Sequence, residues 1–224
     1  KKILYNFNLN IIKLFLVFIG NNNSFSFRGS GEANFLDTIC NEDPELCIDV
    51  GANIGNYSKY ILKNSSSKII AFEPSKKSFK KLNALKKKYT NRIFTFNVGL
   101  GNKKANLNLY YNKKNSLWSN FNPEVNEIDY LKDNKFIERS KIEKLDKIYY
   151  NNKKLFKNKI KLLKIDTEGY EYEVLLGSQN FIKKKKPTYI QIEYNWHHLF
   201  KNVNLYKISK LLKNYDVYKI LPHY

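Results

Sequence analysis

Residues 46–58 read LCIDVGANIGNYS: an apolar run carrying one acid, a turn with Gly51 and Gly55, and then a return to helix-forming residues. Strand, glycine-bearing turn and helix is the arrangement by which a parallel α/β sheet brings backbone N–H groups and a helix N-terminus to a ligand at the carboxyl edge of its strands. Gly51 and Gly55 let the backbone approach something that a side chain would push away. A dinucleotide fingerprint needs G-x-G-x-x-G. Here the spacing is D-x-G-x-x-x-G, with Asn53 where the middle glycine would stand, which argues against NAD and for a nucleoside without a pyrophosphate.

From Leu46 onward, apolar runs alternate with helical patterns, as βαβ units around a parallel sheet do. The runs predict strands at Leu46 to Val50, Lys68 to Phe72, Ile93 to Asn97, Lys161 to Ile165 and Thr188 to Glu193. Helices are predicted over Asn56 to Leu62, Ser75 to Tyr89, Tyr170 to Ile182 and Leu205 to Asn214, with Ser75 as an N-cap. Ala105 to Tyr111 alternates apolar residues with Asn and reads as a half-buried strand. The segment 105–150 is otherwise weakly patterned, with Ser116, Trp118 and Pro123, and is taken as an insertion able to cover a site. The C-terminal VYKIL starts a further strand, whose antiparallel partner is expected to be cut off after Tyr224. The fold expected is a Rossmann-like three-layer α/β/α sandwich with a mostly parallel sheet of about six to seven strands. Residues 1–44 are expected to be an N-terminal helical cap on a domain spanning 45–224.

The chain has 224 residues and a formal charge of +20, but the excess is nearly all Lys, spread along the sequence among Asn, Ile and Tyr. That distribution reads as coding bias with a solvated basic surface rather than a groove for nucleic acid. Cys40 and Cys47 cannot form a disulfide framework, which fits a reducing, cytoplasmic compartment. The apolar stretch Ile11 to Ile19, interrupted by Lys13, is too short to span a bilayer and is expected to be a docked amphipathic helix, with weak membrane-surface association as the alternative. The sequence contains no Met, even at position 1, so a processed, trimmed or partial chain is expected.

Glu73 ends the second strand, about 20 residues beyond the glycine turn, where an acid accepts hydrogen bonds from both hydroxyls of a ribose. Asp166 and Glu168 follow the fourth strand in DTEGYE, where a pair of acids suits a cationic amine, an acceptor hydroxyl or, less readily, a metal ion. Glu171 and Glu173 fall in the first turn of the next helix, where acids favour the helix dipole. After the fifth strand, EYNWHHLF brings Glu193, Trp196, His197 and His198 to the same edge.

CIDVGANIG, AFEPS and KIDTEGYE, followed by VLLGSQNFI and IQIEYN, resemble the FkbM family of class I methyltransferases, over about Gly31 to Glu193. The resemblance implies S-adenosyl-L-methionine as cofactor and methyl transfer to a hydroxyl on a sugar, glycan or other small metabolite. It also implies that Asp49, Gly51, Asn53 and Gly55 meet the methionine and ribose part of the cofactor, that Glu73 meets the ribose hydroxyls and that Asn97 and Val98 frame the adenine. Asp166 is implied to lie near the transferring methyl group. A histidine titrates near neutral pH, so His197 or His198 is expected to accept the hydroxyl proton while Asp166 orients the donor, with Glu168 and Glu193 as the next candidates for the base. The competing readings are an RNA or protein methyltransferase and a non-catalytic nucleotide-binding accessory protein. DTEG stands where an amino-methylating nucleic-acid enzyme would carry a motif such as [DNS]-P-P-[YFW].

Overall fold

A computed structural model describes residues 8, 11, 12, 27, 29–114 and 118–221. Most of the expected helix at Ile11 to Ile19, together with Ser116 of the insertion, lies outside them. The chain divides into two units, Asp43–Tyr215 and a smaller one made of Lys1–Glu42 with Asp216–Tyr224. The described part of the smaller unit contains α1 (Glu32–Asn41), whose buried residues Ala33, Leu36, Ile39 and Cys40 recur at helical spacing. Among the described residues no helix is long and apolar enough to cross a membrane.

The larger unit is built on β1 (Leu46–Val50), β2 (Lys68–Phe72), β3 (Ile93–Phe96), β7 (Ile160–Ile165) and β8 (Tyr189–Ile192), a five-stranded sheet in the order β3-β2-β1-β7-β8. All its pairings are parallel. Every residue of β1 is buried, as expected of a central strand covered on both faces. Helices α2 (Asn56–Asn64) and α3 (Lys76–Ala84) follow β1 and β2. Tyr57, Ser58, Ile61 and Leu62 form the buried stripe of α2, and Ser75 caps α3 by accepting from the Ser78 N–H. The core joins Ile48, Val50, Phe72, Leu163 and Ile165 of the sheet to Phe156, Val174, Phe181 and Ile208 of the covering segments.

The main sheet has five strands among the described residues, not the six to seven expected. The additional strands belong to a second sheet. Past Phe96 the chain forms β4 (Gly99–Leu100) and β5 (Ala105–Tyr111), and β6 (Phe136–Glu143) pairs with both, antiparallel to β5 and parallel to β4. β6 sits between β4 and β5 there, and none of the three pairs with the first sheet. Residues 217–221, expected to start a strand, form none.

After α4 (Leu145–Asn151), the helix expected over 170–182 is two helices, α5 (Glu171–Leu176) and α6 (Gln179–Lys185). The break is sustained from a distance. The Asp146 carboxylate accepts the N–H groups of Asn180 (3.2 Å) and Phe181 (2.7 Å), donors that a helix start leaves without intrahelical partners. The larger unit ends with a 3-10 helix (Trp196–Lys201) and α7 (Leu205–Leu211).

Candidate active site

Parallel pairing brings the carboxyl ends of the strands to one edge, and the backbone stitches those ends together. Gly51 and Ala52 donate to the Phe72 carbonyl, Glu73 to Phe96, Asp166 to Val50 and Glu193 to Ile165, at 2.9–3.1 Å. Gly51, Glu73, Asn97, Asp166 and Glu193 are therefore the residues that leave β1, β2, β3, β7 and β8 along that edge.

In the turn after β1, Gly51, Asn53 and Gly55 all have left-handed backbones, with φ of 77°, 48° and 88°. Asn tolerates that conformation better than most residues, which accounts for its place between the glycines. The space at Gly51 is already taken by the protein itself: an added Cβ would lie 1.7 Å from the Asp166 carbonyl oxygen. At Gly55 it would meet the δ-carbons of Leu82 and Leu85 at 2.8 and 2.7 Å. Both close approaches are therefore to neighbouring segments of the fold, whereas the sequence suggested a ligand.

Glu73 is buried and spans two turns. Its Oε2 accepts the Asn53 N–H at 2.7 Å and its Oε1 accepts the Ser75 N–H at 2.8 Å. Burial pushes its carboxyl up to about 7, against the lowering effect of those two donors. Asn97 donates its side-chain amide to the carbonyls of Glu73 (2.8 Å) and Pro74 (3.1 Å). Val98 follows it, half-buried, where the chain passes from β3 to β4.

Asp49, inside β1, accepts from Ser58 Oγ at 2.6 Å, and its other oxygen lies 3.6 Å from Lys164 Nζ. Lys164 donates to Asp166 Oδ2 at 2.8 Å and sits 4.9 Å from the centroid of the Tyr57 ring. The Tyr57 hydroxyl in turn donates to Gln191. A buried ammonium between two carboxylates was not singled out in the sequence. The available signal was a Lys inside an apolar strand, directly opposite Asp49 in the β1–β7 register.

The DTEGYE turn holds Glu168 and Gly169 at φ of 54° and 94°. Glu171 is not a solvated acid at a helix start. It is fully buried, accepts the Thr167 N–H at 2.6 Å through Oε1 and faces His198 Nε2 at 2.9 Å through Oε2. Glu173 pairs with Lys201 at 3.0 Å.

His197 and His198 reach the same region but do not open onto it, since each is only 1% exposed. His197 Nδ1 lies 3.0 Å from Glu168 Oε2, and an added Cβ on Gly169 would clash with the His197 Cβ at 2.7 Å. His198 Nδ1 lies 3.3 Å from the Asn195 amide nitrogen and 3.2 Å from its carbonyl oxygen, while Nε2 approaches Glu171 Oε2 at 2.9 Å. The expectation of a histidine exposed to an acceptor thus gives way to histidines seated behind carboxyl groups.

Burial raises Glu168 to about 7, and the charges of Asp166 and Glu171 add to the rise against the hydrogen bond from His197. Burial also acts to raise Asp166, but the Lys164 ammonium and the hydrogen bonds from Glu193 and Lys164 outweigh it and hold that carboxyl low. Glu193 is pushed well above the usual carboxylate range by loss of water and by the negative charges of Asp166 and Glu168. The carboxyls of Asp166 and Glu193 are thus displaced in opposite directions along one edge. Asp166, Glu171 and Glu193 offer oxygens within 4.8 Å of one another, a spacing a metal ion can bridge. Two of those groups already face Lys164 and His198. From the insertion, Phe121 packs on Tyr170 with ring centroids 5.4 Å apart, and the 3-10 turn Pro123–Glu127 touches Trp196–Lys201.

The family model described as "Methyltransferase FkbM domain" matches residues 49–217, from the acid of β1 to just beyond the larger unit. No curated protein matches the chain. Among solved structures, one titled "Crystal structure of PRMT6" superposes with a TM-score of 0.41 and 10% identity, over 73% of this chain and 42% of that one. The chain thus spans less than half of that relative's length.

Proposed function

Since the chain belongs to the FkbM methyltransferase family, we propose that it is an S-adenosyl-L-methionine-dependent O-methyltransferase acting on a hydroxyl of a sugar, glycan or other small metabolite. The observation that carries this reading is the alignment of Glu73, Asp166, Glu168 and Glu193 along one strand edge, on either side of the left-handed Gly51–Gly55 turn. In a chain of net charge +20 this edge is rich in carboxyl groups. The donor set fits the cofactor: Glu73 is held at the β2 tip by two backbone N–H groups, one per oxygen, and each oxygen keeps an acceptor position for a ribose hydroxyl. The acids beyond it suit a sulfonium and an ammonium. When bound, the cofactor supplies an electrophilic methyl group on positively charged sulfur.

The chain's own residues then have the following parts. Asp49, Lys164 and Asp166 form a charge ladder, buried at Asp49 and Lys164 and partly exposed at Asp166, that fixes the ends of β1 and β7. Asp166, ionised by Lys164, orients positive charge at the edge. Glu168 is the proton acceptor, because a carboxyl near 7 matches a base working at neutral pH and retains partial access to solvent. His197, bound to Glu168 from behind, fixes the orientation of that carboxyl. Positioning the two reactants accounts for most of the barrier reduction in such a displacement.

Calorimetric titration with S-adenosylhomocysteine tests the cofactor assignment. The chain should bind it, Glu73→Ala should weaken binding by about 1.5–3 kcal/mol, and selective binding of NAD would overturn the reading. Transfer of labelled methyl to saccharide hydroxyls tests the acceptor class, and transfer to RNA or protein amines alone would exclude it.

A further inference from the structure

Beyond the active edge, the structure presents one coherent surface on the segment that closes the larger unit. From Tyr194 to Tyr215 the sequence contains no Asp or Glu, but carries Lys201, Lys207, Lys210 and Lys213. Its inward face is anchored by His197, His198, Val203, Ile208 and Leu212. Its outward face is apolar and aromatic: Trp196 is 69% exposed, Leu199 53%, Leu205 51% and Tyr206 67%. In a 3-10 helix, residues three apart eclipse one another, so Trp196 and Leu199 share one side. Leu205 and Tyr206 open α7 with exposed side chains, Tyr206 on the side opposite the buried Ile208. Lys210 lies over the Tyr206 ring at 4.8 Å, and Lys207 and Lys213 are exposed nearby.

Large exposed apolar groups on a firmly anchored segment mark an interaction site. Trp, Tyr and Leu among lysines, without a single acid, is the composition of a segment lying in the headgroup region of an anionic bilayer. There the apolar side chains enter the acyl boundary and the lysines meet lipid phosphates. We propose that the surface formed by Trp196, Leu199, Leu205 and Tyr206, with Lys207, Lys210 and Lys213, docks on a membrane bearing anionic lipids. It is separate from the N-terminal stretch considered above, and the docking does not depend on the methyl-transfer reading.

The test is co-sedimentation of the full chain with phosphatidylcholine vesicles, with and without phosphatidylglycerol. Binding is expected only with the anionic lipid. Lys207→Ala should lower the partition coefficient about fivefold, Leu199→Ser with Leu205→Ser at least about tenfold, and Ile137→Ser, an exposed apolar site on β6, should leave it unchanged. In a Trp118→Phe background, Trp196 emission should shift to shorter wavelength on vesicles. Three outcomes would overturn the proposal: no anionic binding, binding insensitive to the paired Leu change, or unshifted Trp196 emission. Loss of self-association in the paired variant with no vesicle effect would instead assign the surface to a second copy of the chain.

Discussion

The carbonyl oxygen of Asp166 stands where Gly51 would carry a side chain, 1.7 Å from the position of an ideal Cβ. The glycine of the first turn and the acid of the fourth parallel strand in sequence, more than a hundred residues apart, are thereby fixed against each other by backbone contact. Gly51→Ala should combine overpacking against backbone with a strained left-handed φ and destabilise the chain by about 2–5 kcal/mol. Urea unfolding of the two proteins measures this, and an unchanged midpoint would mean that the turn relaxes freely.

Lys164 lies between the buried Asp49 and the partly exposed Asp166, and removing it leaves both carboxylates without their cation. Lys164→Met should cost about 3–5 kcal/mol, and Asp49→Asn in the same chain should recover part of it. Asp166 is held below its ordinary value, so its contribution is present above the unfolded carboxylate range and lost as pH falls through the folded pKa. That acid-side loss should disappear in Lys164→Met, as followed by unfolding at a series of pH values.

Glu73 runs the opposite way. Its folded pKa of about 7 lies above the ordinary 4.5, so the folded state binds the extra proton and stability is lost as pH rises between those values. Glu73→Gln keeps an oxygen acceptor without the charge and should flatten that decline. Equal slopes for the two proteins would contradict the burial-driven rise.

Glu168 should set the pH dependence of turnover. It accepts a proton only when ionised, so the rate should climb with pH through about 7 and then level off. Glu168→Gln should remove the limb and lower kcat roughly 10²–10⁴-fold, with S-adenosylhomocysteine affinity nearly retained. His197→Asn should displace the limb and reduce kcat less, because the ring acts through Glu168. A limb that survives in Glu168→Gln would assign the base elsewhere.

The sequence alone determined the five parallel strands and the order of the acids at their tips. A short, mostly apolar run bounded by turn residues, and an acid at its end, are local patterns that need no distant partner to be read. It also carried the family, through three short motifs that stand in order along the chain. What occupies the Gly51 cleft, which ammonium neutralises Asp49 and Asp166, and why His197 and His198 are sealed behind Glu168 and Glu171 were decided by tertiary structure. Each depends on groups from different strands and turns meeting, with burial then fixing their charge. The β6 strand, FIERSKIE, stayed hidden for a related reason: only Ser140 and Ile142 are fully buried, so its pairing with β5 and β4, rather than its own hydrophobic pattern, makes it a strand.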